Sequence, residues 1–301
     1  MAHLLSGRHS ARLGMIPQSS GRGLRVAALQ PSVSLTLDHL GCLDSLVACT
    51  RYCLQAVPAL RERDLKVIAD SWSSTTDEIL SASPDLVVAS VPYRLESLAA
   101  ILKCGVPVLT LAPHSLADIY QDIRLLGDIL HAQDRANAVV EEMMRAVAAI
   151  QDATAGGATA GAEPPLVYCE EWGKPLIHSQ TWVAELVSAA GGCFLGNPGS
   201  VTDAAAIAAH DPDVLVFAWC GAGDRVPLAR VIEKRRWQSL RAVGTGRVYC
   251  IPDELLNTPA PNLLQGLQAL AGVIHPEIFG VPECVRCLQT DGLAAVTSKI
   301  T

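Results

Sequence analysis

Cys53, His114, Glu170, Glu171 and Cys220 are the side chains in this sequence best able to hold a ligand or a metal, and they are scattered. No two of them form the short His/Cys/Glu spacing that puts two ligands on one turn of backbone. Cys284-Val285-Arg286-Cys287 is a lone Cys-x-x-Cys with no second such pair nearby to complete a zinc ribbon. Gly221-Ala222-Gly223-Asp224-Arg225 lacks the third glycine of a dinucleotide fingerprint, and neither Gly-Lys-Ser/Thr nor Gly-x-Ser-x-Gly occurs. With no nucleophile–base pair and no phosphate loop, the chemistry on offer is binding rather than turnover. Aromatic residues make up 4% of the chain, yet three of its five tryptophans, Trp72, Trp172 and Trp219, fall where loops are expected. Flat apolar walls of that kind suit a large planar ligand, with burial and dispersion supplying the affinity.

The elements that would position these residues are legible from a motif that occurs twice. Asp77–Ala89 and Asp203–Phe217 each read as a short helix, a Pro-Asp turn (Pro84-Asp85, Pro212-Asp213), then an apolar run with no polar alternation. Proline stops the helix, aspartate suits the turn, and an unalternating run suits a strand buried on both faces of a parallel sheet. Leu24–Leu29 and Leu166–Cys169 read as first strands, Ser45–Thr50 as one more in the first half, and the runs after Gly105 and Gly244 as closing strands. The expected fold is therefore α/β: two similar doubly wound parallel-sheet lobes joined by a long interlobe helix, with a ligand cleft between them. Residues 1–23 are expected to be a disordered tail, 24–133 the first lobe, 134–152 the interlobe helix with Asp134 as N-cap, 153–165 a loop, 166–280 the second lobe and 281–301 a tail. Ligands of open α/β sheets bind beyond the carboxyl ends of strands. That places Ser32, Cys53, Tyr93, His114, Glu170, Glu171, Trp172, Trp219, Cys220, Asp253 and Glu254 among the candidates, with Trp72 just ahead of the first motif helix.

A net charge of −7 argues against nucleic acid or anionic membrane as a partner, and no apolar run approaches the roughly 18 residues that span a bilayer. The first 23 residues carry arginines and serines but no apolar stretch, so the expected location is cytoplasmic, with an organelle-targeting segment at residues 1–23 as the alternative. Ten cysteines then read as free thiols, and the chain as a monomer.

Several stretches together resemble a known family. Arg25-Val26-Ala27-Ala28-Leu29-Gln30-Pro31-Ser32, Trp72 ahead of the Asp-Glu-Ile-Leu run, Gly191-Gly192, and Trp237-Gln238-Ser239-Leu240 before Arg247-Val248-Tyr249 are similar to the helical-backbone (type III) solute-binding proteins, closest to those for cobalamin and iron siderophores. The resemblance implies a small-molecule ligand held between the lobes, a corrinoid or another metal chelate, with no cofactor required. It implies that Trp72 packs on the ring and that Ser32, Cys53, Tyr93, His114, Trp172 and Trp219 line the cleft. Members that dock on an ABC transporter use one acid per lobe; the matching positions are Asp77 and Ala205, which makes docking doubtful. A bare metal-ion site from His114, Cys220, Glu170 and Glu171, and an enzyme on the same scaffold, are the alternatives.

Overall fold

In the computed structural model, residues 23–70, 72–91, 99, 101–103, 105–156 and 163–289 are described. Tyr93 and both expected terminal tails, apart from residues 23 and 281–289, lie outside them. The first lobe is a five-stranded sheet in the order β3 (Lys66–Ile68), β2 (Leu46–Thr50), β1 (Val26–Ala28), β4 (Leu86–Ser90), β5 (Val108–Leu111), and every pairing is parallel. The second lobe has the same kind of centre: β6 (Leu166–Gly173), β10 (Val214–Phe217) and β11 (Val248–Cys250) are parallel, and β8 (Cys193–Phe194) pairs with β6 in parallel.

Both sheets are covered on two faces, and the period-2 geometry of a strand shows it residue by residue. Val26 and Ala28 enter one apolar cluster while Ala27 and Leu29 enter another. Val214 and Val216 separate from Leu215 and Phe217 in the same way. The Pro-Asp turns do matching work in the two lobes. Ser83 and Asp211 take left-handed conformations before the prolines (φ 47° and 45°). The aspartates then accept the N–H that opens the neighbouring first strand: Arg25 N–H to Asp85 Oδ2 at 3.0 Å, Leu166 N–H to Asp213 Oδ2 at 2.8 Å.

The second lobe departs from a purely parallel sheet. β7 (Leu176–His178) and β9 (Val201–Thr202) add antiparallel strands on one side, and β12 (Arg286–Cys287) does so on the other. The start of the expected tail is thus a strand, held by Arg286 donating to the carbonyls of Asp224 and Val226.

The interlobe helix spans Gln133–Gly156, longer than expected at its end because Ala153, Thr154 and Ala155 continue it to Gly156. At 1.5 Å per residue its 24 residues reach about 36 Å. Val140 and Met143 on this helix, Val26 and Val88 of the first lobe, and Val167 and Leu270 of the second belong to one apolar cluster. The Leu116 N–H, at the start of the preceding helix Leu116–Ile129, donates to Glu185 of the second lobe at 2.7 Å.

Candidate functional site

The carboxyl ends of six strands, three from each lobe, converge on a hollow of about 870 Å³. Gln30, Arg51, Tyr52, Gln55, Asp70 and Trp72 face it from the first lobe; Trp172, Cys220, Arg225, Asp253, Glu254 and Thr258 face it from the second. Trp72 and Trp172 are 43% and 45% exposed, and among the described residues they are the only large aromatic side chains left so open. Trp72 sits in a turn and Trp172 at the end of β6, and a hydrogen bond fixes each. The Trp72 N–H donates to Asp70 Oδ1 at 3.0 Å, and Ser73 Oγ donates to the same oxygen at 2.9 Å, an Asx turn. The Trp172 indole N–H donates to the Lys174 carbonyl at 2.8 Å.

The polar groups around these rings mix donors and acceptors. Both carboxylate oxygens of Asp253 accept backbone N–H groups, from Gly221 at 2.7 Å and Gly223 at 2.6 Å, and so hold the loop that carries Cys220 and Arg225. Burial pushes the Glu254 carboxyl up from its ordinary value, and Asp253 and Asp224 add to it. Burial also raises Glu171, against the Gln180 amide and the Cys220 thiol that pull it down. Gln180 Nε2 donates to Glu171 Oε2 at 2.7 Å, and the Cys220 thiol lies 3.7 Å from Oε1. Burial, then Glu171 and Asp253, raises the Cys220 thiol, so it faces the hollow protonated.

Strand alternation splits the two neighbouring glutamates. Glu171, half-buried, turns to Gln180 and Cys220 and does not itself line the hollow, while Glu170 turns into the second lobe and is fully buried. There it accepts from Arg235 through two bonds (2.7 and 2.8 Å), from the Trp219 indole (2.7 Å) and from the Tyr168 hydroxyl. A carboxylate with every lone pair engaged is a structural anchor, and its product is a fixed Trp219.

Helical rotation corrects two further expectations. In the helix Arg51–Ala56, Arg51, Tyr52 and Gln55 share the cleft face, and Cys53 points the opposite way; it is 0% exposed, with its thiol 3.3 Å from Thr50 Oγ1. Ser32 is buried within the helix Pro31–His39, behind Gln30 and Pro31, which line the hollow in its place. His114 is exposed but does not line the hollow; its backbone N–H donates to Asp118 Oδ2 of the following helix at 2.9 Å, and Ser115 is that helix's N-cap. Trp219 lies beside the hollow, in an adjoining groove that shares Trp172 and Cys220. Among the described residues no three His, Cys, Asp or Glu side chains are gathered as a metal site would need.

The periplasmic binding protein family matches residues 26–255. The chain belongs to that family. Its members bind solutes and are not enzymes. Among similar proteins, the uncharacterised ABC transporter substrate-binding lipoprotein YvrC of Bacillus subtilis is 26% identical over 270 residues, 85% of this chain and 81% of the relative. A cobalamin-binding protein of Halobacterium salinarum is 24% identical over 259 residues, 83% of this chain and 69% of the relative. In fold, a periplasmic haem-binding protein from Pseudomonas aeruginosa superposes with a TM-score of 0.75 at 22% identity, over 90% of this chain and 96% of that one. These findings overturn the cytoplasmic expectation. Family members and relatives are periplasmic proteins or lipoproteins, so an extracytoplasmic location is indicated, and the arginines and serines of residues 1–23 were a poor guide to compartment. Among the described residues no helix is long and apolar enough to cross a membrane.

Proposed function

We propose that this periplasmic binding protein carries a corrinoid in the hollow between its lobes. The observation that carries the reading is the pair of exposed indoles, Trp72 and Trp172, one from each lobe, facing the same hollow. Two such walls offer a planar macrocycle apolar contact from both sides. The polar rim favours a corrinoid over a haem. A corrin carries carboxamides around its edge, which need donors and acceptors together, and Gln30, Gln55 and Arg51 stand among Asp70, Asp253 and Glu254. The carboxylates of a haem would instead meet three acids against the two arginines, Arg51 and Arg225. The cobalamin-binding relative supports the same choice.

Delivery to a membrane transporter fits the family's setting, but not through one acid from each lobe. Asp77 is exposed on the first lobe, whereas the second offers Ala205, and Asp203 beside it is engaged as the cap of its own helix, accepting from the N–H groups of Ala205 and Ala206 at 2.9 Å.

Titrating cyanocobalamin, aquocobalamin, haem and a ferric siderophore while following tryptophan fluorescence and visible absorbance tests the ligand. Saturable changes with the two cobalamins, at concentrations well below those for the others, are expected. No saturation by either cobalamin up to about 1 mM, weaker than about −4 kcal/mol, overturns the reading.

A further inference from the structure

The groove that adjoins the hollow has a volume of about 740 Å³ and lies wholly on the second lobe, between the β6–β7 turn and the helix Leu228–Arg235. Its floor is the Trp219 indole, and that floor is held from two sides. Glu170 takes the indole N–H, and Gly173 lets the ring lie against the backbone, where a β-carbon would stand 2.6 Å from Cζ2. Lys174, Arg230 and Lys234 stand exposed along it, and among the described residues none of the three forms an ion pair. Lys234 suits the last turn of its helix, where the dipole welcomes a cation. Arg230 sits in the first turn, where the dipole opposes one, so helix stability does not account for it. Three cations over an anchored aromatic floor are also out of keeping with a chain of net charge −7.

We infer that this groove holds an anionic arm of the ligand whose planar body lies in the hollow. The apolar stretch of the arm lies along Trp219, and its phosphate or carboxylate is met by Arg230, Lys234 and Lys174. The two spaces share Trp172, Cys220 and Gly221 as lining and so adjoin, which puts both within reach of one molecule. The inference rests on the corrinoid reading and narrows it: the arm is the nucleotide loop of a complete cobalamin, a phosphodiester ending in an aromatic base.

Cobinamide, a corrin without that loop, separates the two claims. The wild-type protein is expected to bind cyanocobalamin at least about 10-fold more tightly than dicyanocobinamide, the worth of one or two charge-assisted contacts. The double variant Arg230→Ala/Lys234→Ala is expected to lose at least about 10-fold for cyanocobalamin, to change less than about twofold for dicyanocobinamide, and to show a flatter salt dependence for cyanocobalamin. Both positions are exposed, and unchanged thermal unfolding would verify that the variant folds. Equal affinity of the wild type for both compounds, or equal loss for both in the variant, overturns the inference and leaves the corrinoid reading standing. Binding of neither compound by the wild type overturns both.

Discussion

Glu170 is where a single side chain fixes the shape of the second lobe's binding face. Its carboxylate has no exposed surface and pairs with an Arg235 side chain that is 10% exposed, so removing it strands a buried cation. Glu170→Ala is expected to cost about 3–5 kcal/mol of stability in urea denaturation, with Glu170→Gln costing less, because the amide oxygen still accepts from Arg235 or Trp219. A loss below about 1 kcal/mol for the alanine variant would mean that the pair is not closed off from water. The sequence marked Glu170 and Glu171 equally, as neighbours at a strand end. Only the facing of the strand separates the buried anchor from the half-buried Glu171, and a single sequence with no covering elements does not display that facing. Cys53 was misplaced for a related reason. It follows a strand, as a site residue should, but the chain turns straight into a helix that presents Arg51, Tyr52 and Gln55 to the hollow and rotates Cys53 into the core. Trp72 and Trp172 stood out in the sequence because tryptophans outside the expected core runs have few structural uses, although Trp172 ends strand β6 rather than lying in a loop.

At the scale of elements, the repeated Pro-Asp motif was legible because three local effects agree: a helix stop, an aspartate that captures a strand's first N–H, and an apolar run. The strands that escaped were those with no such agreement. β3 is three residues long and exposes Lys66 and Val67 at a sheet edge, while β9 and β12 have two residues each. They exist through pairing with a neighbour rather than through any pattern of their own. The helix Leu116–Ile129 carries an expectation that belongs to this scale. Burial beside the main core raises the Asp122 carboxyl from its ordinary 3.8 to about 6, and Asp118 adds to it. Because the folded pKa lies above the unfolded one, folding favours the protonated form. This side chain therefore leaves the fold unpenalised below pH 3.8 and weakens it progressively as pH rises through about 6. Asp122→Asn is expected to stabilise the protein by about 1 kcal/mol at pH 7.5 and to have no effect at pH 3.5, read from denaturation midpoints at the two pH values. Equal effects at both would show that the carboxyl titrates normally.

For the whole molecule, the interlobe helix decides how the protein can move. It has no proline and no internal glycine before its last residue, and its Val140 and Met143 belong to an apolar cluster that continues into both lobes. Bending it would open that core, so ligand capture is expected to proceed with little closure, unlike hinge-type capture through flexible strands. Small-angle scattering is expected to show a change in radius of gyration of less than about 1 Å between the free protein and the protein with saturating cyanocobalamin; a larger fall contradicts the rigid spine. Two lobes on one helix could be read from alternating elements and one unbroken helical stretch. Compartment could not, because the folding of the described residues carries no mark of it; the family and its relatives indicate it instead.

The central claim is that a planar ligand lies between Trp72 and Trp172, and the affinities of their alanine variants for cyanocobalamin test it most directly. Both rings are open to solvent, so their removal takes away contact area without leaving a core void. Each single variant is expected to unfold at the wild-type temperature and to lose about 1.5–3 kcal/mol of binding, roughly 10- to 150-fold in affinity. Wild-type affinity in either folded variant contradicts the account.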